Sequence, residues 1–505
     1  MRSRHVLLVS ILMLAAALSG CTQSHDRIEM PALGETAEIT VGASGGTLAL
    51  TGVEITIPPG ALPSDRQVRV TVVDETPPSW LRPSSPILRF EPEGLEFDQP
   101  IEVRIPFSGD SRTATVFWSQ REGDAFVPRA TRIEGRVAIA ESTHFSQAFV
   151  GSACEGDDCC DQANGELDVV LMVDNSNSMS EEQAALAAQL PRLARALASG
   201  DSNGDGVQDF PALESVRVGV VSSDMGAGGN SVPTCDGGAG GAMFGDDGVL
   251  RTAGRTSLPG CDASYPAFAE VGADSTSAEI EGFVRHVSCV GTIGTGGCGF
   301  EQQLESMLKA VTPATSPLRF FDDTMGHADG ENAGFLRDDS MLAVVMLTDE
   351  DDCSVLDPEI IDPSGEYSSV DLNLRCHAFP EAVHDTERYV DGLLALRDQP
   401  ADVIFASVAG VPTDALEGDP SLDTILSDAR MQSVIDPDMP TRLTPSCEVP
   451  GIGNAFPPRR IVEVARDLDA AGAHGVVGSI CQDDFTPVID AILSRVASRA
   501  RGECR

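Results

Sequence analysis

The sequence predicts a multidomain chain, an all-β sandwich followed by an α/β unit with a doubly wound, mostly parallel sheet. Three observations lead there. The chain has 505 residues, more than one hydrophobic core ordinarily serves, so two or more domains are expected. Between residues 39 and 150 short alternating apolar runs are broken by Gly and Pro turns, with no helix-period segment among them. From residue 166 onward apolar strands alternate with helical stretches, the pattern of βα units around a parallel sheet.

The first 21 residues read as a secretory signal. Arg2 and Arg4 precede the apolar run from Val6 to Leu18, a basic n-region and an h-region too short to span a bilayer comfortably. The closing Leu18-Ser19-Gly20-Cys21 resembles a bacterial lipobox, which implies lipid on Cys21 and anchorage in the cell envelope. Thr22 is not the Asp that favours inner-membrane retention in enteric bacteria, so the outer membrane is expected. Residues 22–38 form a polar tether.

Export gives the cysteines a meaning. Setting Cys21 aside leaves 12 of the 13, an even number expected to form disulfides. A zinc cluster is the alternative, disfavoured because no Cys-x-x-Cys pair lies near paired histidines and the eight histidines are scattered. Connectivity stays open; local pairs would be Cys235 with Cys261, Cys289 with Cys298, Cys353 with Cys376 and Cys447 with Cys481. Cys154, Cys159, Cys160 and Cys504 would then tie the ends of the second unit together. The charge balance is strongly acidic, with 34 basic residues against 78 acidic and a net charge of −44. Such a surface repels phosphate backbones, which argues against nucleic acid as a partner, and attracts divalent cations.

Residues 39–150 carry alternating runs such as Val53-Glu54-Ile55-Thr56-Ile57 and Val68-Arg69-Val70-Thr71-Val72, so a β-sandwich is expected. This stretch resembles the ZU-type sandwich of ankyrins and netrin receptors. The matching pieces are Gly45-Gly46-Thr47, Ile57-Pro58-Pro59-Gly60-Ala61-Leu62, Glu91-Pro92-Glu93-Gly94-Leu95-Glu96-Phe97 and Thr143-His144-Phe145-Ser146. These are structural turns and imply little about activity.

Residues 151–165 are acidic and Cys-rich, a linker. Beyond them strands are expected at 167–174, 216–224, 341–348, 402–411 and 475–480. Helices are expected near 179–199, 276–288, 300–311, 382–397, 458–471 and 486–500. In the first helix Leu186, Leu190, Leu193 and Leu197 fall on one face. Ser178 and Glu181 have capping-box spacing at its start. The Gly-, Pro- and Asp-rich stretches 225–275 and 412–457 are expected to be loops braced by disulfides.

The strand from Leu167 to Val173 ends in Asp174-Asn175-Ser176-Asn177-Ser178. One carboxylate and two hydroxyls at alternate positions on a strand-to-helix turn suit a hard divalent cation. Residues 166–502 thus resemble a von Willebrand factor type A domain carrying a metal-ion-dependent adhesion site. The resemblance implies that Asp174, Ser176 and Ser178 are joined by a Thr from a second loop and an Asp from a third. Asp349, at the end of the strand Leu342–Thr348, supplies the third loop. Thr295 in Gly294-Thr295-Gly296-Gly297 is the choice for the second, with Thr292 as the fallback. The implied cofactor is Mg²⁺ or Mn²⁺, and the implied partner is a protein that offers a Glu or Asp. Neutral hydroxyls leave the ion electrophilic, so such a site binds rather than catalyses. The third loop continues Glu350-Asp351-Asp352-Cys353, where many relatives have Gly. A solvated acidic rim is the favoured reading, and a second cation the other.

Two further candidates stand outside that site. Asp201, Asn203, Asp205, Val207 and Asp209 have the spacing of a Ca²⁺ loop with Gly206 at its turn, although Ala212 replaces the usual closing Glu. Some ZU-type relatives cleave themselves between Phe and Ser, so Ser146 could attack the Phe145 carbonyl with help from His144. Gly42-Ala43-Ser44-Gly45-Gly46 lacks the strand-turn-helix setting of a hydrolase elbow. No zincin motif, P-loop or dinucleotide fingerprint occurs. The sequence therefore points to a non-catalytic envelope lipoprotein with a cation-dependent protein-binding module. The alternatives are a scaffold braced by disulfides and metals, and a self-cleaving protein.

Overall fold

The computed structural model describes residues 29–77, 81–119, 126–153, 164–201, 210, 212–232, 235, 241–449, 453–482 and 484–502. Cys21, Cys154, Cys159, Cys160 and Cys504 lie outside them, as do Asn203, Asp205, Val207 and Asp209 of the Ca²⁺ loop. Among the described residues no helix is long and apolar enough to cross a membrane.

The N-terminal part is all-β. Its strands are β1 (Thr36–Val41), β2 (Gly46–Leu50), β3 (Val53–Ile57), β4 (Arg66–Val73), β5 (Arg82–Pro83), β6 (Ile87–Glu91), β7 (Glu96–Pro106), β8 (Thr115–Ser119), β9 (Phe126–Arg129), β10 (Arg132–Glu134), β11 (Val137–His144) and β12 (Gln147–Ser152). One sheet runs β1-β4-β6-β12-β8-β9 with β5 against β12, and the other β10-β11-β7-β3-β2. Alternation makes the sandwich. Val68, Val70 and Val72 of β4 are buried while Arg69 between them is exposed, and they share one core with Ile55 and Val103 of the facing sheet and with Phe145 in the turn between β11 and β12. Phe90 stacks on Trp118 with ring centroids 4.9 Å apart and also meets Phe145.

The second part carries a mixed sheet. In chain order come β13 (Glu166–Val173), α1 (Ser180–Ser199), β14 (Ser215–Ser222), α2 (Gly241–Phe244), β15 (Phe268–Gly272), α3 (Ser277–Gly291), α4 (Gln303–Val311) and β16 (Met341–Leu347). Then follow α5 (Arg375–Ala378), α6 (Glu387–Leu394), β17 (Val403–Ala409), α7 (Leu422–Ser427), a small hairpin of β18 (Cys447–Val449) and β19 (Gly453–Ala455), α8 (Arg459–Ala470), β20 (His474–Ser479) and α9 (Thr486–Arg501). The sheet order is β15-β14-β13-β16-β17-β20. All neighbours are parallel except β15, which runs antiparallel to β14.

Both sheet faces are covered, which is why the strands read as unbroken apolar runs. Leu167, Val169, Leu171 and Val173 pack with α1, α3 and α9 on one side, whereas Val170 and Met172 pack with α4, α6 and α8 on the other. The leucine stripe of α1 is buried as its spacing predicts. The chain moves outward from β13 to β14 and β15, then returns to the opposite side of β13 with β16. The strand order therefore reverses between β13 and β16, where open α/β sheets leave a crevice at the carboxyl ends. A polar joint ties the two parts together. The Arg129 guanidinium of β9 reaches Glu214 at 3.0 Å and Asp274 at 3.3 Å, and His144 Nδ1 lies 3.1 Å from Asp274.

Three expectations are corrected. β15 lies inside the stretch read as loop, because only Ala269 and Val271 of this edge strand are buried and so weak an alternation carries little signal. The capping box does not form at α1. That helix follows a 3-10 turn over Asn177–Met179 and has no side-chain cap, whereas Thr276 and Glu279 make the box at α3. Two disulfides are exchanged relative to the nearest-neighbour reading. Cys235 bonds Cys298 and Cys261 bonds Cys289, while Cys353–Cys376 and Cys447–Cys481 stand. The exchange has a physical cause. Arg255 N donates to Cys289 O at 2.9 Å and lays the 255–261 loop on the end of α3, whereas Cys298 sinks into a small core with Cys235.

Proteolysis under non-reducing conditions with mass spectrometry should yield Cys235–Cys298 and Cys261–Cys289 cross-linked peptides, and a Cys235–Cys261 peptide would contradict the fold. Replacing Cys261 and Cys289 by Ala should cost about 2–4 kcal/mol of stability in denaturant unfolding.

Candidate metal centre

The crevice at the crossover is where the chemistry collects. Val173 pairs with Leu347 at the ends of β13 and β16, and Asp174 N continues the contact by donating to Leu347 O at 2.9 Å. The Asp174 carboxylate is fully buried and held from both sides. Oδ1 accepts from Ser176 N at 2.8 Å and from Ser223 Oγ, just past β14, at 3.0 Å. Oδ2 accepts from Thr348 Oγ1, just past β16, at 2.7 Å. Burial still raises its pKa, against the pull of Thr348, Ser176 and Ser223. The Ser176 and Ser178 hydroxyls lie 3.1 Å apart, the first buried and the second exposed. Ser178 is turned toward its neighbour instead of capping α1, so its oxygen is available to a ligand.

The second loop is fastened to the first. The side-chain amide of Gln183, on α1, donates to Asp174 O at 2.7 Å and to Gly294 O at 2.8 Å, and its oxygen accepts from Gly294 N at 2.8 Å. Gly297 N donates to Asn175 O at 2.8 Å. A Cβ on Gly297 would overlap the buried Asn175 amide, so a larger residue there would have to push that side chain aside. Thr295 is thereby carried between two residues pinned to the Asp174 turn. Thr292 is used otherwise, since its hydroxyl donates to Ser288 O at 3.0 Å at the end of α3.

The third loop supplies the deciding feature. Asp349 is 1% exposed, and among the described residues neither of its carboxylate oxygens finds a hydrogen bond of ordinary geometry. An orphaned buried carboxylate is costly unless something compensates it. Its pKa is pushed well up, first by burial, then by Asp174 and Glu350, with Ser178 pulling it down. More acids crowd the same space. Glu301 is raised by burial and by Glu350 and Asp174, Glu350 is pushed up to about 7 by burial and Asp174, and Glu182 up to about 7 by burial with Glu181 and Asp174 behind it. Two carboxylates and neighbouring hydroxyls, with no basic side chain among the described residues paired to either acid, fit Mg²⁺ or Mn²⁺. Among the described residues no three His, Cys, Asp or Glu side chains are grouped to hold a metal, so the hydroxyls are indispensable to this reading.

The solvated-rim reading of Asp351 and Asp352 does not hold. Asp351 accepts from Arg460 N at 3.0 Å in the first turn of α8. The buried Asp352 accepts from Leu304 N of α4 at 2.9 Å and pairs with Arg460 at 3.2 Å. Both acids fasten helix N-termini to the loop. In the sandwich, Ser146 Oγ donates to Ser119 O at 2.9 Å, and His144 Nε2 meets that same carbonyl at 3.2 Å while Nδ1 lies beside Asp274. His144 is thus engaged in the joint between the two parts. Of the Ca²⁺ loop only Asp201 is described, and Phe210 N donates to Gly200 O at 3.2 Å to close its base.

Residues that sequence reasoning missed are Gln183, Ser223, Thr348 and Glu301. Gln183 left a trace, for it interrupts an apolar face that runs Met179, Leu186, Leu190.

With two antiparallel sheets closing on the Phe90, Trp118 and Phe145 cluster, the N-terminal part can be compared with known families. Residues 37–119 match the ZU5 domain family. The mixed-sheet part lies outside that match. No curated protein matches the sequence. Among solved structures, the pilus adhesin RrgA from Streptococcus pneumoniae is similar at 12% identity with a TM-score of 0.15, over 63% of this chain and 40% of that one. The chain thus spans well under half of that adhesin, and a similarity this low decides neither fold nor activity.

Glu182 illustrates the expected pH dependence. Its carboxyl titrates near 4.5 ordinarily and near 7 in the fold. The unfolded chain therefore loses this proton first, and stability should fall as pH rises from about 4 to about 7. In EDTA the melting temperature should drop over that range, and Glu182→Gln should flatten the drop. At pH 8 in EDTA, Asp349→Asn should raise the melting temperature by roughly 2–8 °C by removing an uncompensated buried charge. Mg²⁺ should stabilise the unmutated chain and leave that variant unmoved.

Proposed function

We propose that this chain is a cell-envelope lipoprotein that presents a divalent-cation-dependent protein-binding site and performs no catalysis. The observation that carries the reading is the Asp349 carboxylate, buried beside Asp174 and Ser178 and, among the described residues, with no hydrogen bond of ordinary geometry. In this reading residues 166–502 form a von Willebrand factor type A domain. The strand order, its reversal between β13 and β16, and the Asp-x-Ser-x-Ser turn at that reversal support it. Asp174, Ser176, Ser178, Thr295 and Asp349 would hold Mg²⁺ or Mn²⁺. The bound ion supplies an electrophilic coordination position for a Glu or Asp of the partner protein. Ser223, Thr348 and Gln183 fix the Asp174 carboxylate and the second loop, so the donor set is arranged before any partner arrives. The ZU5-matching sandwich would carry the module, with lipid on Cys21 holding it at the outer membrane, and residues 201–209 would bind a structural Ca²⁺.

The rival reading is a scaffold in which cation and disulfides only stabilise. Pull-down from envelope extract in Mg²⁺ and in EDTA, using the unmutated chain and an Asp174→Ala, Ser176→Ala variant, separates the two. Partner capture should need Mg²⁺ and vanish in the variant, while the variant's melting temperature in EDTA stays within a few degrees of the unmutated value. A partner list insensitive to EDTA overturns the binding reading, and parallel loss of capture and fold favours the scaffold.

A further inference from the structure

A cavity of about 440 Å³ lies between the third loop, α5, the 433–443 stretch and the first turns of α8, within the size range of small-ligand pockets. Its walls are fastened independently of any occupant. Cys353 bonds Cys376 along one side. On another, Ile435 and Leu443 form an antiparallel bridge, and Arg442 lies 3.0 Å from Asp436. Phe456 lines the cavity while its N donates to Asp349 O at 2.8 Å. A cavity held open in this way spares a ligand the cost of ordering its walls.

The lining decides the class of occupant. Both signs of charge are present, and the guanidiniums are already committed. Arg460 lies 3.2 Å from Asp352 and donates to His384 O at 2.6 Å. Arg459 lies 3.3 Å from Glu463 and donates to Met431 O at 3.1 Å. An anion entering here would meet the Asp351 and Asp352 side with no guanidinium left to answer it. A cation would be set against Arg442, Arg459 and Arg460 and would lose its water to an apolar wall. An uncharged molecule meets neither cost. Phe300, Leu372, Leu443 and Phe456 offer that wall to a ring, and the Ser433 hydroxyl and Asn373 amide offer uncharged hydrogen-bonding groups. We propose that the cavity binds an uncharged organic molecule of about one ring that carries an amide or hydroxyl group. The inference stands apart from the cation-dependent reading.

Benzamide, benzoate and benzamidine share one shape and differ in charge, so together they test the proposal. Saturation-transfer NMR on the full chain in EDTA keeps metal out of the readout. Benzamide should bind saturably with a Kd of about 1–10 mM, and the two charged fragments at least about fivefold more weakly. Leu372→Trp and Leu443→Trp fill the cavity from different segments, and each should remove the benzamide signal while the melting temperature holds. Crystals soaked in meta-bromobenzamide should show a bromine anomalous peak against Phe300 and Phe456, a measurement that needs neither variant to fold. Tighter binding of benzamidine or of benzoate would overturn the proposal in favour of a charged ligand. Benzamide binding that does not saturate, that survives in both folded variants, or that places bromine elsewhere would overturn it outright.

Discussion

Mutual repulsion between the buried carboxylates of Asp174 and Asp349 is the constraint around which the second part of this protein is organised. The two sit at the ends of adjacent parallel strands, where water is excluded and like charges act at low dielectric. Their treatment by the fold differs. Asp174 receives hydrogen bonds from Ser176, Ser223 and Thr348, whereas Asp349 receives none of ordinary geometry. In the function proposed above, a bound cation completes the half that the fold leaves open.

Much of the surrounding structure serves to keep that arrangement from relaxing. Gln183 ties the Asp174 turn to the Gly294 loop, Gly297 lets that loop approach Asn175, and Asp351 and Asp352 anchor the third loop to α8 and α4. The Cys235–Cys298 and Cys353–Cys376 bonds share a small core with Phe300 beneath the same loops. Disulfide bonds and glycine here substitute for the apolar residues that the loops lack. Lys309, the lone lysine of the sequence, shows the same economy elsewhere, for it is fully buried and paired with Asp247 at 2.6 Å.

Much of this was legible in the sequence, and the exceptions have physical reasons. The central strands β13, β16 and β17 are buried on both faces, so their apolar runs stand out, and the leucine stripe of α1 gives its buried face. The edge strand β15 buries only alternate residues of five and was hidden in a Gly- and Asp-rich stretch. Disulfide partners are set by where loops land, so Cys289 and Cys298, nine residues apart, go to different partners. At the site, alternate oxygens after a strand and an acid after a second strand are local patterns and were readable. Ser223, Thr348 and Glu301 act through neighbours distant in sequence, and nothing local marks them. Asp351 and Asp352 looked like solvated charge because a carboxylate at a helix N-terminus and one on the surface are the same letter.

Crystals of the full chain soaked in Mn²⁺, with anomalous diffraction recorded at the manganese edge, test the central claim most directly. The account expects one strong peak enclosed by Asp174, Ser176, Ser178 and Asp349, absent after an EDTA soak. An empty crevice in saturating Mn²⁺, with the Asp349 carboxylate still buried and unpaired, would contradict it.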